Sequence, residues 1–235
     1  MFAEDEAVLL LDAADGPEDL GRLLARRVAG EPLEHVLGWA RFRGLRVLVG
    51  PGVFVPRWRT AFLVDLALGL LAERSHPVVV DLCCGTGAIG AAIAAAVPGV
   101  EVHAADVDPA AVACARRNLP RVYQGDLYAA LPERLRGRVD LLAVNAPYVP
   151  TAAIATMPPE ARDHEPRAAL DGGADGLDVQ RRVAADAPAW LRPGGALLIE
   201  TGADQAPRTA AVFAAAGLVP QVEYAEDATV VIGER

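Results

Sequence analysis

Residues 78–97 read VVVDLCCGTGAIGAAIAAAV, and the fold follows from this stretch. Val78 to Leu82 is an apolar run of strand length, suited to burial on both faces. Gly85 and Gly87 allow a tight loop with positive φ, and Ala88 to Val97 continues as a buried helix. Leu82 to Val100 carries no charge and approaches the length of a bilayer span. Its glycines and Pro98 break that pattern, so it reads as a loop running into a core helix.

The alternation of strands and helices continues toward the C-terminus. EVHAAD (101–106) is a strand, PAAVACARRNL (109–119) a helix opened by Pro109, and RVYQGD (121–126) and VDLLAVN (139–145) are two more strands. A Pro- and Gly-rich stretch, 146–175, is too long to be a mere connection and belongs to the class of functional loops. GLDVQRRVAADAPAWL (176–191) is a helix, Pro193-Gly194-Gly195 a turn, ALLIE (196–200) a strand and 204–216 a helix. LVPQVEYA and ATVVIG are close enough to pair as an antiparallel hairpin at the sheet edge. Apolar strands alternating with helices predict an α/β fold. Its sheet is seven-stranded and mostly parallel, covered on both faces, with that antiparallel edge hairpin.

Toward the N-terminus the pattern changes. Residues 3–29 read as two short helices, the second opened by Asp15 and Pro17 as cap and first-turn residues and closed by Gly30. PLEHVLG is a further turn of helix. WARFRGLRVLV (39–49) is a hairpin about Gly44, GVFVPRW (52–58) is extended, and a helix starts from Thr60 as cap. The expected division is 1–38 as a short helical segment, 39–58 as a hairpin linker and 59–235 as the main domain.

Composition sets limits on function. The chain has 235 residues, net charge -9 and no lysine, which argues against stable coating of nucleic acid. Cys83, Cys84 and Cys114 form neither a disulfide framework nor a metal spacing, so no metal is expected and a reducing cytoplasm fits. MFAEDEAVLL is acidic where a secretory leader is basic, so neither export nor membrane association is expected. His35, His103 and His164 show no metal spacing.

The segment Asp81-Leu82-Cys83-Cys84-Gly85-Thr86-Gly87 departs from the dinucleotide fingerprint, because Cys83 takes the first glycine position and the third glycine is displaced. Asp81 repels a phosphate and suits a cationic ligand; S-adenosylmethionine carries a sulfonium and an ammonium. Asp106 ends the next strand, where an acid holds ribose hydroxyls. Asp126 ends the third, where a carboxylate can accept from an adenine amino group while Leu127 covers the ring. Each has a plainer reading as a turn or cap residue. Asn145-Ala146-Pro147-Tyr148 ends the fourth strand, at the edge where open parallel sheets bind ligands. The Asn145 side-chain oxygen and a nearby backbone carbonyl could accept from both hydrogens of a carboxamide, returning density to its nitrogen, while Tyr148 packs on its plane. The plainer reading is an Asx turn.

In order and spacing these segments resemble the HemK-like protein-(glutamine-N5) methyltransferases, the group that includes the release-factor glutamine methyltransferases. The resemblance covers residues 31–233. It rests on EPLEHVLG (31–38), PGVFVPR (51–57), DLCCGTGAIG (81–90), Asp106, Gly125-Asp126-Leu127, Asn145 to Tyr148, EPRAALDGG (165–173) and LRPGG (191–195). It implies a Rossmann-like S-adenosylmethionine-dependent methyltransferase fold for 59–235. It also implies a protein or peptide substrate that carries a glutamine, a release factor among the candidates. By resemblance, Cys83, Cys84, Gly85, Thr86, Gly87 and Asp106 line the cofactor site, Asp126 and Leu127 the adenine pocket, and Asn145 with the Ala146 carbonyl holds the substrate amide. The alternatives are methylation of an exocyclic base amine, or a family member without turnover. Three departures point to a different protein target. Ala146 replaces the first Pro of N-P-P-Y, Arg59 replaces an acid in P-R-P-E-T, and the helical part before Glu31 is short.

Overall fold

A computed structural model describes residues 3–235. Helices α1 (Ala3–Ala13), α2 (Pro17–Val28) and α3 (Leu33–Leu37) lead into the hairpin β1 (Trp39–Phe42) and β2 (Leu45–Leu48). The alternating part follows: α4 (Ala61–Leu71), β3 (Val78–Leu82), α5 (Ala88–Ala96), β4 (Glu101–Asp106), α6 (Pro109–Ala115), β5 (Val122–Gln124) and β6 (Val139–Val144). The chain ends with α7 (Pro159–His164), α8 (Asp178–Trp190), β7 (Leu191–Thr201), α9 (Ala206–Ala215), β8 (Val219–Tyr224) and β9 (Thr229–Glu234).

The sheet order is β5-β4-β3-β6-β7-β9-β8. Pairing is parallel from β5 to β7 and antiparallel for β7–β9 and β8–β9. Alternation along each strand divides the core into two layers. Val79, Leu141 and Leu198 pack on α4 and α5, whereas Val80, Leu142 and Leu197 pack on Trp190 and Phe213. Both layers are closed over the central strands, which are mostly apolar, and the groups that line the crevice emerge at strand ends. Strand order reverses between β3 and β6, which opens a crevice at their carboxyl ends.

Three local expectations need correction. Asp15 does not cap α2; Gly16 does, at φ 95, and the Asp15 N–H donates to Asp19 Oδ2 at 3.1 Å instead. The first turn is thereby stabilised from inside the helix. Thr60 precedes α4, but a 3₁₀ turn over Trp58–Thr60 already satisfies that helix start, so its side chain makes no cap bond. Pro193-Gly194-Gly195 is not a turn ahead of the strand. β7 runs through it, and Leu191 pairs with Val139 while Ala196 pairs with Leu141, so the glycines are absorbed as a bulge. The 146–175 stretch contains α7 and short 3₁₀ turns, and a bridge from Val149 to Asp171 ties its two ends together.

Candidate active site

The crevice holds a cavity of about 450 Å3, within the ~300–1,000 Å3 of small-molecule sites. Its wall includes Cys83, Cys84, Gly85 and Thr86 after β3, Asp106 at the end of β4, Asp126 and Leu127 after β5, and Asn145 to Tyr148 after β6. These four strand ends are far apart in sequence and meet here because the sheet places them side by side. The other walls combine apolar residues, Phe42, Val53, Phe54 and Pro56 from the hairpin region and Met157, Pro158 and Ala161 from the long loop, with the charged Arg57, Arg59, Glu160 and Glu165.

The glycine loop is pulled toward β4. Gly85 N–H donates to Asp106 Oδ2 at 2.8 Å, and Asp108 N–H donates to Oδ1 at 3.0 Å. Burial raises the Asp106 carboxyl above its ordinary range, opposed by these backbone donors. Gly85 has φ +54, and a Cβ built on it meets nothing within 4 Å. The missing side chain therefore leaves open space at the cavity wall. Cys83 adopts φ 56, the conformation a glycine would take at the first position of a dinucleotide loop. Leu127 likewise sits at φ 48. Two non-glycine residues in the left-handed region on one cavity wall mark a backbone held there by its surroundings. Burial pushes the Cys83 and Cys84 thiols well up, so neither is a thiolate nucleophile.

Two residues expected at the cofactor do not reach the cavity. Asp81 is fully buried beneath the loop, where Oδ2 accepts from Gly90 N–H at 2.9 Å and Oδ1 has no partner. Burial pushes its carboxyl up to about 8, with the nearby Asp106 charge adding to the shift. Any effect on a cationic ligand is transmitted through the loop instead of by contact. Gly87 (φ 77) ends the loop by donating to the Cys84 carbonyl at 2.7 Å, and a Cβ there would lie 2.9 Å from Leu119 Cδ1. Its role is close packing at the start of α5. Asp126 does line the cavity, but its carboxylate pairs with Arg182 of α8 at 2.6 Å, with both side chains more than half exposed. An adenine amino group would compete with that exposed pair, which contributes little by itself.

At the end of β6, Asn145 Nδ2 donates to Thr60 Oγ1 at 3.4 Å, so its Oδ1 is uncommitted among the described residues. The Ala146 carbonyl likewise accepts no bond among them. Two free acceptors therefore sit on adjacent residues at the wall of a mostly apolar cavity. Tyr148 is held by Arg59 and Glu200, and its backbone carbonyl accepts from Gln205 Nε2 at 2.9 Å. Glu165, the first residue of the EPRAALDGG segment, anchors the segment before α4. Its Oε1 accepts from Val55 N–H at 3.1 Å and its Oε2 from Arg57 at 2.6 Å. Burial raises the Glu165 carboxyl, and the Arg57 charge opposes this. Sequence reasoning missed Thr60, Arg182 and Glu200, because strand-end position alone does not show which side chains turn inward.

Residues 45–157 match the Methyltransferase small domain family. The release factor glutamine methyltransferase of Geobacter sulfurreducens is 39% identical over 86% of this chain and 72% of its own length. That of Streptomyces coelicolor is 44% identical over 76% and 65%. The solved release-factor-specific protein-(glutamine-N5) methyltransferase of Alicyclobacillus acidocaldarius superposes with a TM-score of 0.50 at 29% identity, covering 80% of this chain and 98% of that one. An rRNA guanine-N2 methyltransferase of Thermus thermophilus gives TM-score 0.59 at 22% identity, with 84% and 49% coverage, a likeness of fold alone. At about 40% identity, with the strand order and the four strand-end segments both present, the chain belongs to the family of release factor glutamine methyltransferases, which draw their methyl group from S-adenosylmethionine.

Proposed function

We propose that this chain methylates the side-chain amide nitrogen of a glutamine in a protein, a peptide chain release factor being the substrate that its relatives' names point to. The observation that carries this reading is the pair of free acceptors, Asn145 Oδ1 and the Ala146 carbonyl, in one cavity with Asp106 and the glycine loop. An amide nitrogen is a poor nucleophile because its lone pair is delocalised. Accepting from both N–H groups raises the electron density at the nitrogen and holds the amide plane fixed against the methyl donor. Tyr148 lines the cavity one residue beyond Pro147, and its ring supplies a surface for the amide plane.

The donor side fits the same cavity. Asp106 offers acceptors for a ribose diol, Gly85 leaves room for close approach, and Leu127 gives an apolar cover for a base. Bound S-adenosylmethionine supplies an electrophilic methyl group on a sulfonium whose leaving group is a neutral thioether. No thiolate competes for that methyl, since Cys83 and Cys84 stay protonated. Ala146 in place of proline keeps the carbonyl and loses only a fixed φ, worth ~0.4–1 kcal/mol of chain entropy. The three free cysteines, with no disulfide among the described residues, support a reducing cytoplasm as the compartment of the reaction.

The test is incorporation of tritium from labelled S-adenosylmethionine into a cell extract. Label that resists ribonuclease and is lost to protease supports the reading. Label confined to nucleic acid overturns it.

A further inference from the structure

Arg59 stands in the wall between the main cavity and a smaller one beside the ends of β7 and β8, and Tyr148 shares that wall. Its Nη2 donates to the Tyr148 hydroxyl at 2.9 Å, and its Nε donates to Glu200 Oε1 at 3.3 Å. The Tyr148 hydroxyl in turn donates to the same Glu200 oxygen at 3.5 Å. Three groups therefore close a triangle about one carboxylate. Glu200 is 1% exposed, and its Oε2 has no partner. A buried carboxylate with one unsatisfied oxygen is costly unless a cation is held against it. Arg59 is that cation, and no other cation pairs with Glu200 among the described residues. The guanidinium fork fixes two acceptors at a set angle, which an ammonium does not do.

We infer that Arg59, clamped by Glu200, is a positioning residue that fixes the Tyr148 hydroxyl, and with it the ring against which the substrate amide lies. This rests on the glutamine-methylation reading above, but the clamp is open to a separate test. Arg59 touches neither Asn145 nor the residues of the glycine loop by hydrogen bond. Its loss should therefore change substrate alignment and leave cofactor affinity unchanged. The arrangement also accounts for a basic residue where the family resemblance shows an acid. In this chain the side chain at 59 faces a buried glutamate and neutralises it.

The experiment has two arms. In the first, 13C-labelled tyrosine is introduced, and the Cζ resonance of Tyr148 is assigned by its disappearance in Tyr148→Phe. The clamp predicts that Arg59→Ala and Glu200→Gln each shift this resonance and its titration, whereas the Tyr123, Tyr128 and Tyr224 resonances stay in place. A Tyr148 resonance unmoved in folded Arg59→Ala overturns the inference, whatever the enzyme methylates. In the second arm, single-turnover transfer to a purified release factor is measured. Arg59→Ala and Tyr148→Phe are each expected to slow transfer about tenfold, with S-adenosylhomocysteine affinity unchanged. The double variant should be no slower than either single one, because both remove the same positioning. Multiplied effects, or full speed in Arg59→Ala, overturn the inference. Absence of transfer by the unmodified enzyme counts instead against the release-factor reading, and the resonance then decides the clamp by itself.

Discussion

Asp106→Ala is predicted to weaken cofactor binding by a factor that can be worked from the geometry. The carboxylate already accepts two backbone N–H groups, at 2.8 Å from Gly85 and 3.0 Å from Asp108. A hydrogen bond to a charged group contributes ~1.5–3 kcal/mol. The side chain is half-buried, so water replaces part of this in the variant, and a net stability loss of about 2–4 kcal/mol is expected. At ~2–4 °C per kcal/mol for a chain of this size, the melting temperature should fall by roughly 4–16 °C. Each carboxylate oxygen keeps a second acceptor site. Two ribose hydroxyls bound there would contribute ~3–6 kcal/mol more, which is ~10²–10⁴-fold in Kd. Calorimetry with S-adenosylhomocysteine on a variant shown to be folded by circular dichroism measures this directly. Asp106→Asn keeps one neutral acceptor and should fall between the two. A folded Asp106→Ala whose Kd lies within about threefold of the parent, less than 1 kcal/mol, would refute the assignment of the ribose to this carboxylate.

Three further outcomes follow from particular contacts. Asn145→Ala should lower single-turnover methyl transfer by ~10²–10³-fold, as for loss of one preorganised polar partner, with S-adenosylhomocysteine affinity unchanged; a variant that is less stable but equally fast would make Asn145 a turn residue only. Asp81 is held up to about 8 by burial, so the folded state keeps a proton that the unfolded chain releases above its ordinary 3.8. Stability therefore falls as pH rises through that window, by about 1.4 kcal/mol per unit for this group. Asp81→Asn keeps an acceptor for Gly90 N–H, and its melting temperature should gain on the parent steadily from pH 5 to pH 8; a constant gap would show that Asp81 does not titrate there. Finally, a Cβ at Gly172 would lie 2.7 Å from the Gly176 carbonyl and 2.8 Å from both the Pro147 carbonyl and Tyr148 Cα. Gly172→Ala should cost ~1–3 kcal/mol of stability in thermal melts while cofactor affinity holds, because the obstruction lies on the substrate side.

The fold was legible because the central strands are mostly apolar on both faces and their spacing is regular. Runs such as VVVDL and VDLLAV admit few other readings, and the terminal hairpin followed from proximity in sequence. Helix starts were read less well. Asp15 has the right chemistry for a cap, but Asp19 reaches back to its backbone, and tertiary placement decided between them. The site was legible as a set of strand ends, since topology brings such ends to one edge. Sequence does not show which of them faces the cavity. Asp81 lies one residue before a strand end and is buried under the loop, whereas Asp106 closes its own strand and lines the cavity. The tether from Glu165 to Val55 and Arg57 spans more than a hundred residues, as does the Arg59–Glu200 pair, and no local pattern encodes either. The left-handed backbone of Cys83 was hinted at by its place in a glycine motif; that of Leu127 had no sequence signal.

The most direct measurement is to locate the methyl group. Purified protein and S-adenosylmethionine are incubated with an unmethylated release factor, and the product is digested and sequenced by tandem mass spectrometry, with Asn145→Ala run in parallel. The account predicts one added methyl group on the side-chain amide of a single glutamine, formed by the parent protein and nearly absent with the variant. A methyl group on any other residue type, or equal modification by both proteins, would contradict it.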